Sequence, residues 1–341
     1  MQRTGVLLVN LGTPDSQSPQ DVKKYLTQFL TDGRVIDIPW FKRQILVRGI
    51  IVPKRYKESA KNYARIWTEN GSPLLHYGNR AQKLLQDKLG EQFQVELGMR
   101  YQNPSIESAL QKLEGCHELI IVPLFPQYAS ATTGSMHQEV MRVISQWTTI
   151  PEIQFINSYP THAKMIEAFA CRGKEHPVEQ YDHVIFSFHG LPEKHLRKAD
   201  RNNHCLNQKN CCATLSEKNQ LCYSAQCHAT GQAIANQLNL PQEGYTICYQ
   251  SRLGKDPWIK PYASDVLDTL AKEGKKKVLV FSPAFVCDCL ETIDEIGNEY
   301  RQEFLSKGGE SLDLVEGLND HPLWIEALYD LVSHNRTPAF C

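Results

Sequence analysis

The stretch HVIFSFH at residues 183–189 is the most informative for the fold. Its apolar residues have the pattern of a buried strand, and the strand ends at a histidine. A second apolar stretch, KVLVF at 277–281, leads through SPAF at 282–285 to Asp288 and Glu291. Open α/β sheets place their chemistry at the carboxyl ends of parallel strands. The two stretches therefore predict an enzyme site in which a base and a carboxylate face each other.

Outward from these stretches, short β-rich runs alternate with amphipathic helical patterns, which is typical of α/β proteins with parallel sheets covered by helices. The predicted strands are 5–10, 94–99, 118–125, 152–157, 183–188, 245–249, 277–281 and 312–316. The predicted helices are 19–30, 74–89, 106–113, 135–147, 162–171, 229–238, 263–272, 290–304 and 322–333.

The chain also contains an internal repeat. Residues 99–125 combine MRYQNP, a predicted helix ending at Gly115 and LIIVPLF, and residues 248–285 combine CYQSR, a helix ending at Gly274 and VLVFSPAF. The repeat predicts two similar α/β lobes with a crevice between them; the alternative is chance similarity between two βαβ units. We expect an N-terminal lobe at 1–155, a C-terminal lobe at 156–320 with an insertion at 200–228, and a helix and tail at 321–341.

Composition narrows the class of function. With 37 Lys and Arg against 38 Asp and Glu in 341 residues, nothing indicates nucleic-acid binding. The apolar run at 5–9 is too short for a signal peptide or a membrane span, so a cytoplasmic protein is expected. Eleven cysteines in such a protein indicate metal binding or burial. Phosphate-binding glycine loops and a serine-hydrolase elbow are both absent from the sequence.

His189 is the first candidate site residue. Its reference pKa of about 6.5 suits proton transfer, and its neutral ring is a good ligand for ferrous iron. The alternative is a histidine satisfied by backbone at a strand end. Gly190 and Pro192 favour the functional interpretation, because they force a sharp turn that leaves the ring at a rim.

Acidic residues in DCLETIDE, at 288–295, form the second candidate. Asp288, Glu291 and Glu295 are three to four residues apart at a predicted helix start, which would place them along one face. Such an acidic track can hold a hard or borderline cation. The alternative is favourable placement of acids at a helix N-terminus.

Together these motifs resemble the ferrochelatases, which insert ferrous iron into a porphyrin at the end of haem synthesis. The resemblance covers nearly the whole chain, through LLVNLGTP at 7–14, GSPL at 71–74, GMRY at 98–101, PLFPQY at 123–128, TGS at 133–135, SFHGLP at 187–192, QSRLG at 250–254 with PW at 257–258, and LET at 290–292. It implies two Rossmann-like, chelatase-type lobes, each a parallel sheet flanked by helices, with the active-site cleft between them.

The resemblance also implies substrates and site residues. By position, His189 matches the family's active-site histidine, and Glu291 matches the carboxylate paired with it for metal and proton handling. Positions that contact or orient the porphyrin are matched by Arg55, Tyr63, Ser72, Arg100 and Tyr101, with Tyr128, Trp258 and Phe285 as aromatic walls. The implied substrates are ferrous iron and protoporphyrin IX, with coproporphyrin left open, and the protein is expected as a monomer or homodimer.

The segment at 40–55 corresponds to the family's lip over the active-site mouth. It mixes apolar residues with five cations, a composition suited to peripheral contact with the inner face of an anionic membrane. A packed helix with a solvated face is the alternative.

A cysteine-rich segment reads C-x5-C-C-x9-C-x4-C from 205 to 227. Some bacterial ferrochelatases hold a 2Fe-2S cluster in such an internal segment, so the resemblance implies Cys205, Cys212, Cys222 and Cys227 as ligands, with Cys211 as the alternative to Cys212. Zinc and free thiols stay open as alternatives. Animal-type ligands are not matched, because Ser130 stands at the N-terminal position and the chain ends at 335–341 without a C-terminal group.

Two other functions remain open at this point. The first is a non-enzymatic tetrapyrrole or metal carrier on the same fold. The second is an iron-sulfur sensor whose chelatase lobes are vestigial. Cys289 departs from family members that have a histidine there, so a second histidine for metal transfer is not expected.

Overall fold

The computed structural model describes residues 3–208, 210–252, 254 and 256–333. These residues divide into two compact units. Unit 1 contains the chain up to Phe125, Ala129–Ser158 and the described residues from Ile325 onwards, and unit 2 contains Pro126–Tyr128 and Tyr159–Trp324. Leu253 of the QSRLG motif and the predicted tail at 334–341 lie outside the described residues.

Unit 1 is built on a parallel four-stranded sheet in the order β2-β1-β3-β4. Its strands are β1 (Thr4–Gly12), β2 (Phe93–Tyr101), β3 (Glu118–Pro123) and β4 (Glu152–Phe155). Its helices are α1 (Pro19–Thr31), α2 (Trp40–Ile45), α3 (Val52–Ile66), α4 (Pro73–Leu89), α5 (Ile106–Leu113) and α6 (Ser135–Ile144), with π-helical segments at Leu46–Ile51 and Ser130–Gly134.

Unit 2 repeats this plan with a second parallel sheet in the order β6-β5-β7-β8. Its strands are β5 (His183–His189), β6 (Tyr245–Gln250), β7 (Lys277–Phe281) and β8 (Ser311–Leu314). Its helices are α7 (Ala163–Lys174), α8 (Glu193–Ala199), α9 (Tyr223–Gln237), α10 (Ala263–Lys272) and α11 (Arg301–Ser306), with a π-helical segment at Leu290–Tyr300 and 3₁₀ turns at Val178–Gln180 and Gln242–Gly244. The last helix, α12 (Pro322–Ser333), begins in unit 2, and most of it is assigned to unit 1.

The predicted α/β class and the two similar lobes, each a parallel sheet flanked by helices, are confirmed by this architecture. The two units also resemble each other at the carboxyl ends of their strands. A Cβ atom at Gly12 would collide with the backbone oxygen of Tyr101, and one at Gly190 would lie 2.8 Å from the backbone oxygen of Gln250. Tyr101 and Gln250 therefore occupy equivalent places, at the ends of β2 and β6.

Apolar side chains fill the space between each sheet and its helices. In unit 1, Leu7 and Ile121 of the sheet are fully buried with Leu110 of α5 and Val140 of α6. In unit 2, Val278 and Val280 of β7 form a cluster with Leu267 of α10. Strands that are covered on both faces have continuous apolar sequences, which is why β3, β5 and β7 were predicted from the sequence.

Two predicted helices differ from those observed. The helix predicted at 290–304 is π-helical over Leu290–Tyr300 and becomes an α-helix only at Arg301. The helix predicted at 229–238 begins earlier, at Tyr223. Its first part buries Ser224 and Gln226, which have hydrogen-bond partners inside the fold, so the apolar period that marks a helix is missing there.

Candidate active site

His189 is the last residue of β5, and its side chain is half-buried. The ring atom Nδ1 lies 2.6 Å from the backbone oxygen of Gly190. Because a carbonyl oxygen can only accept, Nδ1 carries the proton, and Nε2 of the neutral ring keeps its lone pair. The backbone of His189 is held as well, because the Tyr223 hydroxyl donates to its backbone oxygen at 2.9 Å. The ring is therefore oriented with one nitrogen ready to accept a proton or bind a metal.

Two of the predicted aromatic walls lie beside this ring. The centroid of the Trp258 ring is 6.5 Å from that of His189, and the centroid of Phe285 is 6.4 Å away in an edge-on arrangement. Trp258 is almost fully buried, and within the described part of the chain its Nε1 has no hydrogen-bond partner. The third wall residue, Tyr128, is half-buried, and its backbone N–H donates to the Gln226 side chain at 2.7 Å.

The three acids of the predicted track have different environments. Asp288 is buried just before the π-helical segment, where its carboxylate accepts hydrogen bonds from the side chains of Thr292 and Asn319 and from the Gly317 N–H. Glu295 accepts from Gln250, Ser251 and Tyr300. Both carboxylates thus have structural partners inside unit 2.

Glu291, by contrast, is partly exposed in the first turn of the π-helical segment. Its carboxylate lies beside the Cys289 thiol. Burial raises the pKa of that thiol first, and the negative charge and hydrogen bond of Glu291 raise it further. Cys289 therefore stays protonated and neutral next to the carboxylate, which leaves the Glu291 charge uncompensated by this neighbour.

Gln250 belongs to the QSRLG motif, but the sequence analysis gave it no role in the site. It is 1% exposed at the end of β6, where it pairs in register with His189. Its side-chain oxygen accepts from the Ser187 hydroxyl at 2.8 Å, and its amide nitrogen donates to the backbone oxygen of Glu291 and to the Glu295 carboxylate, each at 2.9 Å. The available signal was its position, as a polar residue directly after a predicted strand.

Gly190 provides a direct test of how closely the end of β5 packs against Gln250 and Trp258. In Gly190→Ala the new Cβ atom would lie 2.8 Å from the backbone oxygen of Gln250 and 3.1 Å from the Trp258 ring. We expect the free energy of unfolding in urea to fall by about 1–3 kcal/mol, the usual cost of overpacking. The matched control is Gly49→Ala, because nothing lies within 4 Å of a Cβ atom at that exposed position. Equal stability of the two variants would contradict the described packing.

The predicted porphyrin-contact residues of unit 1 lie in several environments. Arg55 is exposed on α3, whereas Tyr63 on the same helix is buried and packs edge-on against Tyr25, with ring centroids 6.0 Å apart. Ser72 precedes α4, is buried, and accepts a hydrogen bond from the Thr13 hydroxyl at 2.9 Å.

Arg100 and Tyr101 belong to a polar network around Asp32. Nη2 of Arg100 and the Tyr101 hydroxyl both approach Oδ2 of Asp32, at 2.8 and 2.9 Å, and Ser135 donates to the same oxygen at 2.5 Å. Burial works to raise the Asp32 pKa, but the hydrogen bond from Ser135, that from the Arg34 backbone and the Arg100 charge together lower it. Asp32 is therefore held as a carboxylate, and Arg100 is already paired with it.

The cysteine-rich segment brings several thiols together in unit 2. The sulfur atoms of Cys211 and Cys212 are 3.7 Å apart, and the Cys222 thiol interacts with those of Cys205 and Cys212. The pKa of Cys212 is raised first by its hydrogen bond with Cys222 and then by burial, and that of Cys227 is raised by burial. Among the described residues no three His, Cys, Asp or Glu side chains have an arrangement that could hold a metal ion. Cysteine thiolates are the usual ligands of zinc and of iron-sulfur clusters, so the residue types fit such a metal even though the described arrangement does not yet form a ligand set.

The lip segment, residues 40–55, is helical throughout, with α2, a π-helical stretch and the start of α3. Its inner side packs into unit 1 through Val47 and Val52, which cluster with Leu30. Its outer side leaves Trp40 66% and Phe41 68% exposed. Neither this segment nor any other described helix has the length and apolarity to cross a membrane.

Comparison with known proteins identifies the class of protein that this fold and site represent. The solved structure of "SirB from Bacillus subtilis with Fe3+" covers 97% of this chain and 94% of its own, with a TM-score of 0.51 and 14% sequence identity. At that identity the match shows the fold alone, an α/β fold of the chelatase type.

The chain belongs to the ferrochelatase family, whose sequence model matches residues 3–336. A ferrochelatase from Legionella pneumophila (strain Paris) is 44% identical over 331 residues, covering 97% of this chain and 99% of the relative. A ferrochelatase from Coxiella burnetii (strain Dugway 5J108-111) is 44% identical over 329 residues, covering 96% of this chain and 92% of the relative. The predicted function, haem synthesis by insertion of metal into a porphyrin, is confirmed.

Proposed function

We propose that this protein inserts ferrous iron into protoporphyrin IX, a lyase reaction that forms protohaem and releases two protons. The observation that carries the proposal is the His189 ring, whose Nδ1 is bound to the Gly190 oxygen and whose Nε2 is left as the accepting atom. Family membership and the ferrochelatase relatives support the same reaction.

The chemistry requires the two pyrrole N–H protons to leave and the ferrous ion to lose its water. His189 accepts a proton at Nε2, and Glu291 supplies a carboxylate for the cation or for a second proton. Positioned general bases typically contribute ~10²- to 10⁴-fold to such a step. The partly exposed Phe285 ring beside His189 suits a flat macrocycle. Trp258 lies on the same histidine and remains a proposed wall, although only a small part of its ring is exposed.

The other predicted porphyrin residues have different proposed roles. Exposed Arg55 suits a propionate, because the guanidinium fork can bind a carboxylate bidentately. Tyr63, Ser72 and Tyr101 are buried, so we infer that they orient neighbouring groups and do not stack on the ring themselves. We infer that Arg100 also orients neighbouring groups, through its ion pair with Asp32. Tyr128 remains a proposed wall.

An anaerobic metalation assay tests the reaction and its substrate. The protein is mixed with ferrous iron and either protoporphyrin IX or coproporphyrin III, and loss of porphyrin fluorescence is followed over many turnovers. We expect a higher kcat/KM for protoporphyrin. Faster metalation of coproporphyrin would make that the substrate, and stoichiometric binding without turnover would indicate a carrier.

We also propose a 2Fe-2S cluster in the cysteine-rich segment, held by Cys205, Cys212, Cys222 and Cys227, with Cys211 as the alternative to Cys212. The support is the Cys222 thiol, which interacts with those of Cys205 and Cys212. Cys227 interacts electrostatically with Cys212. Such a cluster supplies one-electron redox chemistry, which metal insertion does not require, so its proposed role is structural or redox-sensing.

The anaerobically purified protein is expected to be coloured and to contain iron and acid-labile sulfide. Cys222→Ser should lose both, because this thiol interacts with Cys205 and Cys212. Cys171→Ser, at a half-buried position on α7, is the matched control and should keep them. A colourless protein containing zinc would establish the zinc alternative, and one without metal would establish free thiols.

A peripheral membrane contact through the lip segment is proposed because Trp40 and Phe41 are exposed next to Lys42. The double variant Trp40→Ser, Phe41→Ser should float less with phosphatidylglycerol vesicles than the unchanged protein. Ile150→Ser removes a similarly exposed apolar side chain outside the lip segment and should float normally. If the unchanged protein does not float, the proposal is wrong.

A further inference from the structure

We propose that Gln250 is a positioning residue that fixes the start of the π-helical segment, and with it Glu291, against the strand that ends in His189. The inference rests on the roles proposed above for His189 and Glu291. It concerns a residue that touches neither iron nor porphyrin in the proposed mechanism.

The main chain of Gln250 is bound to the His189 strand. Gln250 pairs with His189 in the parallel register of β5 and β6, and its backbone oxygen accepts a hydrogen bond from the Gly190 N–H at 2.8 Å. The same Gly190 supplies the oxygen that orients the His189 ring through Nδ1. These bonds use only main-chain atoms of Gln250, so they remain when its side chain is replaced.

The side chain of Gln250 is bound to both elements. Its oxygen accepts from the Ser187 hydroxyl on β5 at 2.8 Å, and its nitrogen donates to the Glu291 backbone oxygen and the Glu295 carboxylate at 2.9 Å each. The side chain is 1% exposed, so water cannot replace a lost partner without rearrangement. Buried hydrogen-bonding groups that lose their partners are destabilised, so the two elements joined by this side chain should shift when it is replaced.

The choice of atoms supports positioning as the role. Gln250 binds Glu291 through the main-chain oxygen, which fixes the backbone at this residue and leaves the carboxylate available for chemistry. Glu295, one helical turn further on, is bound through its carboxylate. π-Helices are rare and are often found at functional sites. The hydrogen bond from Gln250 to the first turn therefore holds an uncommon backbone geometry in place.

The test is Gln250→Met, which keeps the length of the side chain and removes its hydrogen bonds. We expect kcat for porphyrin metalation to fall by ~10- to 100-fold, as for a misplaced catalytic group, with the porphyrin KM changed less than about threefold. In the Glu291→Gln background, the same substitution should cause little further loss of kcat, because residues that act through one another are not additive.

The matched control is Gln86→Met in unit 1. The Gln86 side chain also makes three hydrogen bonds, to the backbone atoms of Gly90, Phe93 and Val95. Its loss should lower the free energy of unfolding and leave kcat per folded molecule unchanged. If Gln250→Met does not fold, Ser187→Ala removes one anchoring bond of the same amide and should lower kcat in the same direction by a smaller factor.

The outcomes separate the inference from the function on which it rests. If Glu291→Gln alone leaves kcat unchanged, the proposed role of Glu291 is wrong. If Glu291→Gln lowers kcat but the two losses multiply in the double variant, Gln250 acts independently of Glu291 and the inference is wrong. An unchanged kcat in folded Gln250→Met, or in Ser187→Ala where it is the variant used, would overturn it as well.

Discussion

His189→Ala is expected to lower kcat for porphyrin metalation by ~10²- to 10⁴-fold, the usual contribution of a positioned general base. The reason is geometric, because Nε2 of this ring is the nitrogen left free to accept a proton when Nδ1 donates to the Gly190 oxygen. Porphyrin binding, measured by fluorescence without iron, should change little, since Trp258 and Phe285 remain beside the site. The measurement is the single-turnover rate of protohaem formation.

The matched control is His183→Gln, at the other end of the same strand. His183 is buried, and its Nε2 lies 2.9 Å from the Thr246 hydroxyl, so this change is expected to affect stability more than rate. Added imidazole should restore part of the rate to His189→Ala, because the missing group is a proton acceptor. A wild-type rate in His189→Ala would remove the residue from the mechanism.

Glu291→Gln is expected to lower kcat by ~10²-fold and to raise the KM for ferrous iron, because the amide keeps the shape of the carboxylate and removes its charge. The backbone oxygen of Glu291 still accepts from Gln250, so the π-helical segment should keep its position. The measurement is kcat and KM over a range of ferrous iron concentrations, with circular dichroism to confirm the fold.

Glu299→Gln serves as the control, since this residue is exposed on the same π-helical segment. It should leave both kinetic constants within about twofold, the scale of a surface change. Equal losses in the two variants would mean that the general negative charge of the segment matters, and that Glu291 has no specific role.

Much of the fold was readable from the sequence. Strands such as KVLVF at 277–281 lie inside covered sheets, so both faces are apolar and the run is continuous. The repeat was readable for a related reason, since the same packing recurs in β1–β3 and β5–β7. His189 was chosen as a candidate because a polar residue directly after such a strand lies at the carboxyl end of the sheet.

What the sequence did not reveal depends on contacts between distant residues. Asp288, Glu291 and Glu295 have similar spacing, but only the fold shows that Asp288 is bound by the loop at Gly317 and Asn319. The π-helical geometry was missed because π-helices are rare, so an amphipathic pattern at 290–304 was assigned to the common α-helix. Gln250 was given no role because two of its partners lie more than 40 positions away along the chain.

The equivalent places of Tyr101 and Gln250 have an electrostatic consequence. In unit 1 the carboxylate at this place, Asp32, is neutralised by the guanidinium of Arg100. In unit 2 the groups that hydrogen-bond Glu295 are an amide and two hydroxyls, all without charge. Neutral donors fix a carboxylate without cancelling its field, so the Glu295 charge adds to the negative potential around Glu291, which favours the proposed role of Glu291 as a cation ligand. The two units thus differ in their charge balance: an arginine compensates the carboxylate of unit 1, and the carboxylate of unit 2 keeps its charge.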